Sequence, residues 1–440
     1  MAKGDRPWKV AVIGAGPAGI YASDILLKQL AQKAEELGIS KEAEIDVFEK
    51  NPAPYGLVRY GVAPDHPAIK LISRALDKAL SSEKISLFCN VCYGRDLSLT
   101  DLLRHYDAVI FATGAGRDKK WELGQGIEGV CGAGRVAGWY NAFPGICAPS
   151  LATPTAAVVG GGNTALDVAR VLLQDPYPLS STDMPQEIWR ELAASSVKEV
   201  HIFVRRGPAF HKFSVQQIRQ LKSCSRLIVD EFSRRLMGAG AAPSSPAALA
   251  AWRELQEASN AAPSPKKCYL HFASSVSSLF APNGRLEGLW AQRNGGSGTE
   301  EKLFLETGLC VSAIGWEAEK LPGLPFDSDR GIVSNQKGRV SEKAYVTGWA
   351  KRGCEGLIGS TKSDAAETVE SILADWGQKG QGEVDSTSTE EFLQSRKIRF
   401  SKKAGWFALE NYESSLGRPD GKARVKVKSA FEMNRVSGLE

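Results

Sequence analysis

The chain has 440 residues, a formal net charge of +5 and 43% hydrophobic residues, which is ordinary for a soluble globular protein. Its length predicts two or more domains, each with its own core. The charge is too mild to indicate nucleic-acid binding, and no run approaches the roughly 18–20 apolar residues of a membrane span. We therefore expect no nucleic acid and no membrane span, and the charge is compatible with an acidic protein partner.

The eight cysteines are scattered along the chain. This pattern is typical of reduced thiols in a cytosol-like compartment rather than of a disulfide framework. Cys89 and Cys92 have CxxC spacing but no second pair and no nearby histidine, so we interpret them as ordinary thiols rather than as a metal or redox site. No signal peptide is visible. We expect a cytoplasmic protein, or a mitochondrial-matrix protein if it is eukaryotic and its targeting segment has been removed.

The first predicted unit is a strand, a glycine turn and a helix. The apolar run Val10–Ile13 leads into Gly14-Ala15-Gly16-Pro17-Ala18-Gly19, and helical spacing of apolar residues continues to Leu37. After a polar extension, interpreted as a surface insertion, the strand Ile45–Phe48 ends in Glu49. In this motif the glycines let the backbone approach a pyrophosphate, and the acid binds a free ribose 2′-hydroxyl. The pattern predicts a dinucleotide without a 2′-phosphate.

The second predicted unit repeats the pattern with cations in place of the acid. The run Ala156–Val159 leads into Gly160-Gly161-Gly162-Asn163-Thr164-Ala165, and the later strand Val200–Val204 ends in Arg205 and Arg206. Arginines at this position suit a 2′-phosphate, although they could also form a solvated charged face. FAD and NADP(H) are the pair of dinucleotides that fits the two units.

Other segments have simpler interpretations. Strands are predicted to end at Gly114, Gly315 and Gly348, where glycine lets a ligand approach the sheet edge. Residues 237–265 and 378–389 are rich in small and polar residues and are predicted to be surface loops, the first broken by a helical piece near Trp252–Ala258. The basic tail, Arg396–Lys428, is predicted to be partly ordered.

Five stretches outside the glycine turns form a more specific set. They are Tyr55–Pro67 (YGLVRYGVAPDHP), 138–141 (GWYN), 163–170 (NTALDVAR), 205–208 (RRGP) and 348–353 (GWAKRG). Their identity and order resemble the adrenodoxin reductase family of FAD-dependent ferredoxin–NADP⁺ reductases, over most of the chain from Val10 to about Thr368. The tail, with Trp406, Glu413 and Gly417-Arg418-Pro419, resembles the bacterial members.

The resemblance implies a fold and a domain order. The fold class is α/β, with two Rossmann-like dinucleotide-binding domains and the NADP domain inserted into a discontinuous FAD domain. We predict residues 1–116 as the first part of the FAD-binding domain and 117–325 as the NADP-binding domain. Residues 326–440 are predicted to complete the FAD-binding domain and to carry the basic tail.

The resemblance also implies roles for matching positions. The adenosine and pyrophosphate side of FAD would be held by Gly14, Gly16, Ala18, Glu49 and Leu57. The isoalloxazine would lie against Trp349, Gly356, Leu357 and Ile358. NADP(H) would be held by Gly160, Gly161, Gly162, Asn163, Arg205 and Arg206.

His66 and Asp167 match a pair that the family places near the flavin and the nicotinamide, and they are our predicted catalytic residues. Hydride transfer needs alignment rather than a side-chain acid or base, so we expect them to orient the nicotinamide and manage protons at flavin N5. The alternative for His66 is a loop histidine that satisfies a backbone group.

Three departures from the family pattern bear on these roles. Cys354-Glu355 stands where the family usually has Pro-Thr, and Ser360 replaces a threonine. An added carboxylate near the flavin disfavours its reduction, so the flavin potential is in question. Gln217 replaces a glutamate on the adenosine side of NADP, which predicts slightly weaker dinucleotide binding.

The implied function is a flavoprotein oxidoreductase that moves electrons from NADPH through FAD to an acidic ferredoxin-type iron–sulfur protein. We expect a monomer. Arg219, Lys222 and Arg226 are predicted to lie on one face of the helix that follows the arginine pair, where the acidic partner would dock; an ordinary solvated face is the alternative.

Four other functions are considered. An electron-input subunit of a larger complex would often carry a cysteine-rich cluster arm, and the sequence shows none. A pyridine nucleotide-dependent flavin reductase would use a different acceptor. A disulfide reductase would need a cysteine pair beside the flavin, and residues 51–67 contain none. A non-catalytic dinucleotide-binding sensor would not be reduced by NADPH.

Overall fold

The computed structural model describes residues 6–240, 242–258, 264–294, 300–356 and 358–439, without the side chains of residues 68, 300 and 358. The strands are β1 (Trp8–Ile13), β2 (Ala43–Glu49), β3 (Ile85–Cys89), β4 (Ala108–Phe111), β5 (Arg117–Asp118), β6 (Val130–Gly132), β7 (Thr155–Val159), β8 (Glu199–Val204), β9 (Arg226–Val229), β10 (Lys267–Phe272), β11 (Ser274–Phe280), β12 (Gly288–Asn294), β13 (Glu300–Glu306), β14 (Leu309–Ser312), β15 (Trp316–Glu317), β16 (Phe326–Asp327), β17 (Ile332–Val333), β18 (Arg339–Ser341), β19 (Ala344–Val346) and β20 (Ser401–Lys402). The helices are α1 (Pro17–Leu37), α2 (Gly56–Tyr60), α3 (Pro67–Lys70), α4 (Ile72–Leu80), α5 (Leu99–His105), α6 (Ala133–Tyr140), α7 (Asn163–Leu173), α8 (Gln186–Ala193), α9 (Val215–Cys224), α10 (Glu231–Ala239), α11 (Pro246–Glu257), α12 (Trp349–Arg352), α13 (Ile358–Lys379), α14 (Thr389–Ser395), α15 (Lys403–Gly417) and α16 (Ala430–Val436).

The chain folds into two compact units, and the first is discontinuous. It consists of Met1–Val62, His66–Arg117 and Trp316–Glu440, whereas the second consists of Ala63–Asp65 and Asp118–Gly315. Ala318 and Leu321 lie in a core cluster of the first unit, although the sequence-based boundary stands at 325. That the first unit binds FAD and the second binds NADP stays a prediction.

The first unit is built around a seven-stranded sheet in the order β18-β19-β4-β1-β2-β3-β20. Its five central strands, β19 to β3 in that order, are parallel, and the edge strands β18 and β20 are antiparallel to their neighbours. Buried apolar residues cover both faces of the sheet. This is the arrangement expected for strands that read as continuous apolar runs.

Helix α1 covers one face of this sheet and is well defined at both ends. Pro17 occupies its first turn after Gly16, and Gly38 ends it in a left-handed conformation. Helix α13 packs against α1. Beside them, the rings of Trp8 and Trp376 stack with centroids 3.9 Å apart and planes 6° from parallel.

The basic tail is part of the first unit rather than a partly ordered extension. Ser401 and Lys402 form β20, which pairs with the edge of β3. Helix α15 follows and buries Trp406, Leu409 and Glu413. The tail therefore covers one edge of the main sheet, which would otherwise expose unpaired backbone groups.

The second unit is built around a six-stranded parallel sheet in the order β6-β14-β7-β8-β10-β9. A three-stranded antiparallel sheet, β11-β12-β13, belongs to the same unit. The helical piece predicted near Trp252–Ala258 is α11, which begins six residues earlier than predicted because Ser245 caps its N-terminus, Pro246 occupies the first turn and Trp252 and Leu255 are buried. In the described parts of the chain no helix is long and apolar enough to cross a membrane.

Candidate cofactor sites

The glycine turn of the first unit forms a tight backbone cradle at the end of β1. Gly14 has φ +112°, and a Cβ there would lie 2.5 Å from the Ala112 carbonyl oxygen on the neighbouring strand. No atom lies within 4 Å of the place where a Cβ on Gly16 would stand, and Gly16 immediately precedes α1. The free N–H groups of a helix N-terminus favour anions, so this turn can hold a pyrophosphate. Ala18 is buried in the first turn of α1.

Glu49 lies beside this turn at the end of β2 and is 5% exposed. Its Oε2 accepts the Ala15 N–H at 3.1 Å, and its Oε1 accepts both N–H groups of Asn51, from the backbone at 2.9 Å and the side chain at 2.7 Å. Burial raises the pKa of Glu49, and these hydrogen bonds oppose that effect. The carboxylate is therefore held rigidly next to the turn, where a ribose hydroxyl would donate to it.

The segment that carries Leu57 packs directly against the first glycine turn. The Tyr55 N–H donates to the Ala15 carbonyl at 2.8 Å, and a Cβ on Gly56 would lie 3.5 Å from the Gly16 Cα. Both Tyr55 and Gly56 have positive φ angles, 80° and 48°. Leu57 follows as the second residue of α2. The signature YGLVRYGV thus fixes a sharp change of direction directly above the predicted phosphate turn.

The start of the segment between β19 and α13 is held by Asp364, a residue of α13. Its Oδ2 accepts the Gly348 N–H at 2.5 Å and the Thr347 hydroxyl at 3.2 Å, and its Oδ1 pairs with Lys351 Nζ at 3.1 Å. Trp349 is half-buried at the start of α12. Asp364 was not predicted from the sequence, because it is one of four acidic residues of α13 and nothing in the local pattern distinguishes it.

The rest of this loop carries the departures from the family pattern. Gly356 has φ +78°, so a side chain there would be strained, and Glu355 is exposed. Cys354 is half-buried and Ser360 is exposed. The prediction for Leu357 lies outside the described residues, as does the side chain of Ile358, the first residue of α13.

His66 and Asp167 lie in different units, and each has a defined setting. His66 is 7% exposed in the first unit and precedes α3, with its carbonyl accepting the Ile69 and Lys70 N–H groups. Asp167 lies on α7, where its Oδ1 accepts Arg170 Nη2 at 2.6 Å.

The same Arg170 guanidinium also pairs with Asp65, and its side chain is 3% exposed. Asp65, Arg170 and Asp167 therefore form a carboxylate–guanidinium–carboxylate group within the second unit. Asp65 and Arg170 both belong to the family-like stretches, but their contact was not predicted from the sequence. The two residues are more than a hundred positions apart.

The second glycine turn repeats the cradle of the first. Gly160 has φ +155°, and a Cβ on it would collide with the Ala313 carbonyl; a Cβ on Gly161 would lie 2.8 Å from Val204. Gly162 has open space beside it and precedes α7. Asn163, the first residue of α7, accepts the Ser214 N–H at 2.9 Å. Asn163 therefore also positions the start of α9.

Arg205 and Arg206 directly follow β8 and are exposed. Neither forms an ion pair with another described residue, in contrast to most buried or half-buried arginines of the chain. Two cations without carboxylate partners at the end of the second strand of a Rossmann unit suit a ligand phosphate.

The predicted docking face of Arg219, Lys222 and Arg226 differs from the prediction in its members and in its charge. Arg226 is wrong as a member of the helix face, because α9 ends at Cys224 and Arg226 begins β9. Arg219 and Lys222 do lie on α9, but both pair with Glu254 of α11, at 2.7 and 2.8 Å. One carboxylate thus balances part of the charge of this face. A helical piece was predicted near Trp252–Ala258, but its packing against α9, which brings Glu254 to these cations, could not be anticipated from the sequence.

The residues present fit the two dinucleotides. In the first unit, the buried Thr113 hydroxyl lacks a hydrogen-bond partner among the described residues, and it follows Ala112, which contacts the Gly14 turn. A buried polar group of this kind is usually satisfied by a ligand or water. The acid of the first unit and the free arginines of the second match FAD and NADP(H), respectively.

Comparison with known proteins shows the family of the chain. No model of a known protein family matches the chain. The NADPH-ferredoxin reductase FprA of Mycobacterium tuberculosis is 34% identical over 457 residues, covering 98% of this chain and 99% of that protein. The human mitochondrial NADPH:adrenodoxin oxidoreductase is 32% identical, covering 98% and 92%. The structure of M. tuberculosis FprA in complex with NADPH matches with a TM-score of 0.88 at 31% identity, covering 98% of this chain and 100% of that one.

Proposed function

The chain belongs to the NADPH–ferredoxin reductases of the adrenodoxin reductase family, and we propose that each of its two units holds one of the two dinucleotides this activity needs. The protein is an oxidoreductase that moves electrons from NADPH through FAD to a ferredoxin-type protein. The α/β fold with two Rossmann-like units agrees with the sequence prediction. The difference between Glu49 and the Arg205–Arg206 pair is the observation that supports this proposal.

FAD would be held in the first unit, and when bound it supplies the conversion of a two-electron donor into one-electron steps. The Gly14–Gly16 turn and the N-terminus of α1 would bind its pyrophosphate. Glu49 would accept the ribose hydroxyl, and Leu57 would cover the adenosine side. Trp349 and Gly356, with Leu357 and Ile358, would line the flavin end of the site.

NADPH would be held in the second unit. The turn from Gly160 to Gly162 and the N-terminus of α7, beginning with Asn163, would bind the pyrophosphate. Arg205 and Arg206 would bind the 2′-phosphate, which NADH lacks. Charge-assisted bonds to phosphate are roughly twice as strong as neutral ones, so this contact would determine cofactor choice.

His66 and Asp167 would act on the transfer step. Asp167 is held by Arg170, which also binds Asp65, so the carboxylate has a fixed direction. We propose that Asp167 orients the nicotinamide and that His66 holds or moves a proton near flavin N5. Alignment of donor and acceptor is the main catalytic requirement, and buried or ion-paired side chains provide it.

The electron acceptor would be an acidic ferredoxin met by a monomer in the cytoplasm. The predicted FAD residues all belong to the first unit and the predicted NADP(H) residues to the second, so neither proposed site calls for a second copy. The cysteines are thiols rather than disulfides, which suits a reducing compartment. Glu254 weakens the case for α9 as the docking face, but the net charge of the chain still favours an acidic partner.

Anaerobic stopped-flow reduction followed by acceptor titration tests this function. The purified yellow protein should be bleached by NADPH much faster than by NADH, and the reduced protein should then reduce a ferredoxin. Bleaching without reduction of any ferredoxin would indicate a flavin reductase with another acceptor. Protein that NADPH does not bleach would contradict the proposed enzyme.

A further inference from the structure

The positive charge of this protein is concentrated at its C-terminal end. Residues 396–440 contain eleven Lys and Arg and five Asp and Glu, whereas the rest of the chain contains 44 Lys and Arg and 45 Asp and Glu. The first 395 residues are therefore close to neutral. An excess of cations in one short segment creates a local positive potential that favours anionic ligands.

Part of this charge lines a groove of about 870 Å³ in the first unit. The groove lies between the loop after β3, the segment after α14 and helix α16, which contribute Arg95, Lys397, Arg399 and Arg435 among others. None of the glycine-turn residues lines it. Its size lies within the range of small-molecule sites.

The cations of the groove differ in whether they are already paired. Arg95 is paired with Asp96, which itself lines the groove. Lys397, Arg399 and Arg435 are exposed and form no ion pair with any other described residue. Three unpaired cations around one concave surface can each contact a different oxygen of a phosphate group.

Two further features point to a ligand with a planar ring. Phe431, which lines the groove, is 79% exposed, an unusual exposure for a phenylalanine. Asn90 and Asn434 also line it, and the side-chain amide of each has one buried atom, Nδ2 and Oδ1, without a hydrogen-bond partner among the described residues. A donor and an acceptor of this kind match the polar edge of a nucleobase, and an exposed aromatic ring stacks on its face.

We propose that this groove binds a nucleoside phosphate, in addition to the two dinucleotides of the glycine turns. Lys397, Arg399 and Arg435 contact the phosphate, and Phe431 stacks on the base. Asn90 and Asn434 pair with the base edge. Because the site lies in the unit that we assign to FAD, its occupancy is expected to be separable from NADP(H) binding.

Binding of a fluorescent N-methylanthraniloyl ADP to the FAD-loaded protein, measured by anisotropy, tests the proposal. NADP⁺ is kept saturating so that the second unit is occupied. The double variant Arg399→Glu, Arg435→Glu should bind the probe at least about tenfold more weakly. The matched control, Arg418→Glu with Lys422→Glu, changes the same charge in the same segment outside the groove and should bind within about twofold of the parent.

Phe431→Ala and inorganic phosphate separate the ring contact from the charge. Phe431→Ala should weaken probe binding by about tenfold, because the variant loses the stacking of the base on the aromatic ring. Inorganic phosphate should compete more weakly than unlabelled ADP. Equal competition together with an unchanged Phe431→Ala would overturn the nucleoside part and leave a simple anion site.

The other outcomes also decide the question. Equal losses in the groove variant and its control would mean that general electrostatics binds the probe, and the site would be rejected. Probe binding that disappears in Arg205→Ala, Arg206→Ala would place the probe on the second unit. Loss of FAD from the groove variant would make the groove part of the FAD site. Absence of saturable binding to the parent protein would reject the proposal outright.

Discussion

Arg59 in α2 and Glu413 in α15 form a two-point ion pair across 354 residues of chain, with Nη1–Oε2 at 2.9 Å and Nη2–Oε1 at 2.5 Å. Their side chains are 3% and 0% exposed. Glu413 also accepts the Val427 N–H, and Lys426 Nζ donates to the Arg59 carbonyl at 2.7 Å. Because α2 begins directly over the first glycine turn, this pair connects the tail to the predicted FAD site.

Removing one member of this pair should strongly destabilise the protein. Glu413→Ala leaves a buried guanidinium without its carboxylate and should lower the free energy of unfolding by about 3–5 kcal/mol. Urea denaturation of the FAD-loaded protein measures this effect, and faster FAD release should accompany it. Asp24→Ala, which removes the exposed pair with Lys28, should cost less than about 1 kcal/mol. Similar losses in both variants would show that the buried pair has no special role.

Cofactor choice should depend on Arg205 and Arg206. Loss of charge-assisted phosphate contacts typically costs about 1.5–3 kcal/mol, or roughly ten- to a hundredfold in affinity. The double variant to alanine should raise the KM for NADPH by that factor and change the KM for NADH little. Arg253→Ala, an exposed arginine of α11, serves as the control. Equal effects on both cofactors would show that Arg205 and Arg206 do not bind the 2′-phosphate.

His66→Gln and Asp167→Asn should change flavin reduction more than FAD retention. Both proteins should remain yellow, since neither residue belongs to the glycine turn of the first unit. Stopped-flow reduction by NADPH should show a slower rate or a shifted pH profile in each. If either variant is purified without FAD and is unstable, that residue is structural.

Electron transfer to ferredoxin should slow with added salt. Salt shortens the screening length, which is about 10 Å at 0.1 M, and steered association weakens accordingly. Ferricyanide, a small acceptor that needs no docking, should be much less affected. If α9 is the docking face, Arg219→Glu with Lys222→Glu should slow ferredoxin reduction at low salt, and Glu254→Gln should accelerate it. Indifference to all three substitutions would place docking elsewhere.

Acid should destabilise the protein through His201. Its ring contacts His271 at 2.9 Å and Glu199 at 3.9 Å, stacks on Tyr269, and connects through His271 to Asp230. Burial, reinforced by His271, lowers the pKa of His201 from 6.5 to about 3.

The sign of this effect follows from proton uptake. Between pH 6.5 and 3 the unfolded chain binds a proton that the folded protein does not, so the free energy of unfolding decreases as the pH falls. The slope is about 1.4 kcal/mol per pH unit well below pH 6.5. Urea denaturation at pH 7 and pH 5 should show a smaller loss for His201→Gln than for the parent. An equal loss in both would assign the acid sensitivity to other groups.

The two glycine units were predictable because their signals are local. An apolar run, a glycine turn, a helix and a terminal acid or arginine pair lie within a few tens of residues, and Gly14 and Gly160 adopt the positive φ angles that the motif requires. The resemblance identified less regular segments as functional, such as the stretch that begins at Tyr55, but their backbone conformation came only from the structure.

The sequence-based predictions failed where a structural feature depends on a helix cap or on a contact between residues far apart in the chain. The first half of α11 was predicted as loop because the Ala, Ser and Pro content of residues 237–265 hid the Ser245 cap. Arg226 was placed on a helix that ends two residues earlier. The Arg59–Glu413 pair depends on contacts across the whole chain, for which local sequence carries no signal.

The interrupted order of the first unit has a consequence for its biosynthesis. Strand β19 pairs with β4, but residues 118–315 are translated between them and complete the sheet of the second unit first. The apolar face of α1 and the ring of Trp8 therefore lack their packing partners, α13 and Trp376, until these have been synthesised. Domains generally fold as units as they leave the ribosome. We expect the inserted unit to become protease-resistant on the ribosome first, while the opening segment of the chain remains a substrate for chaperones.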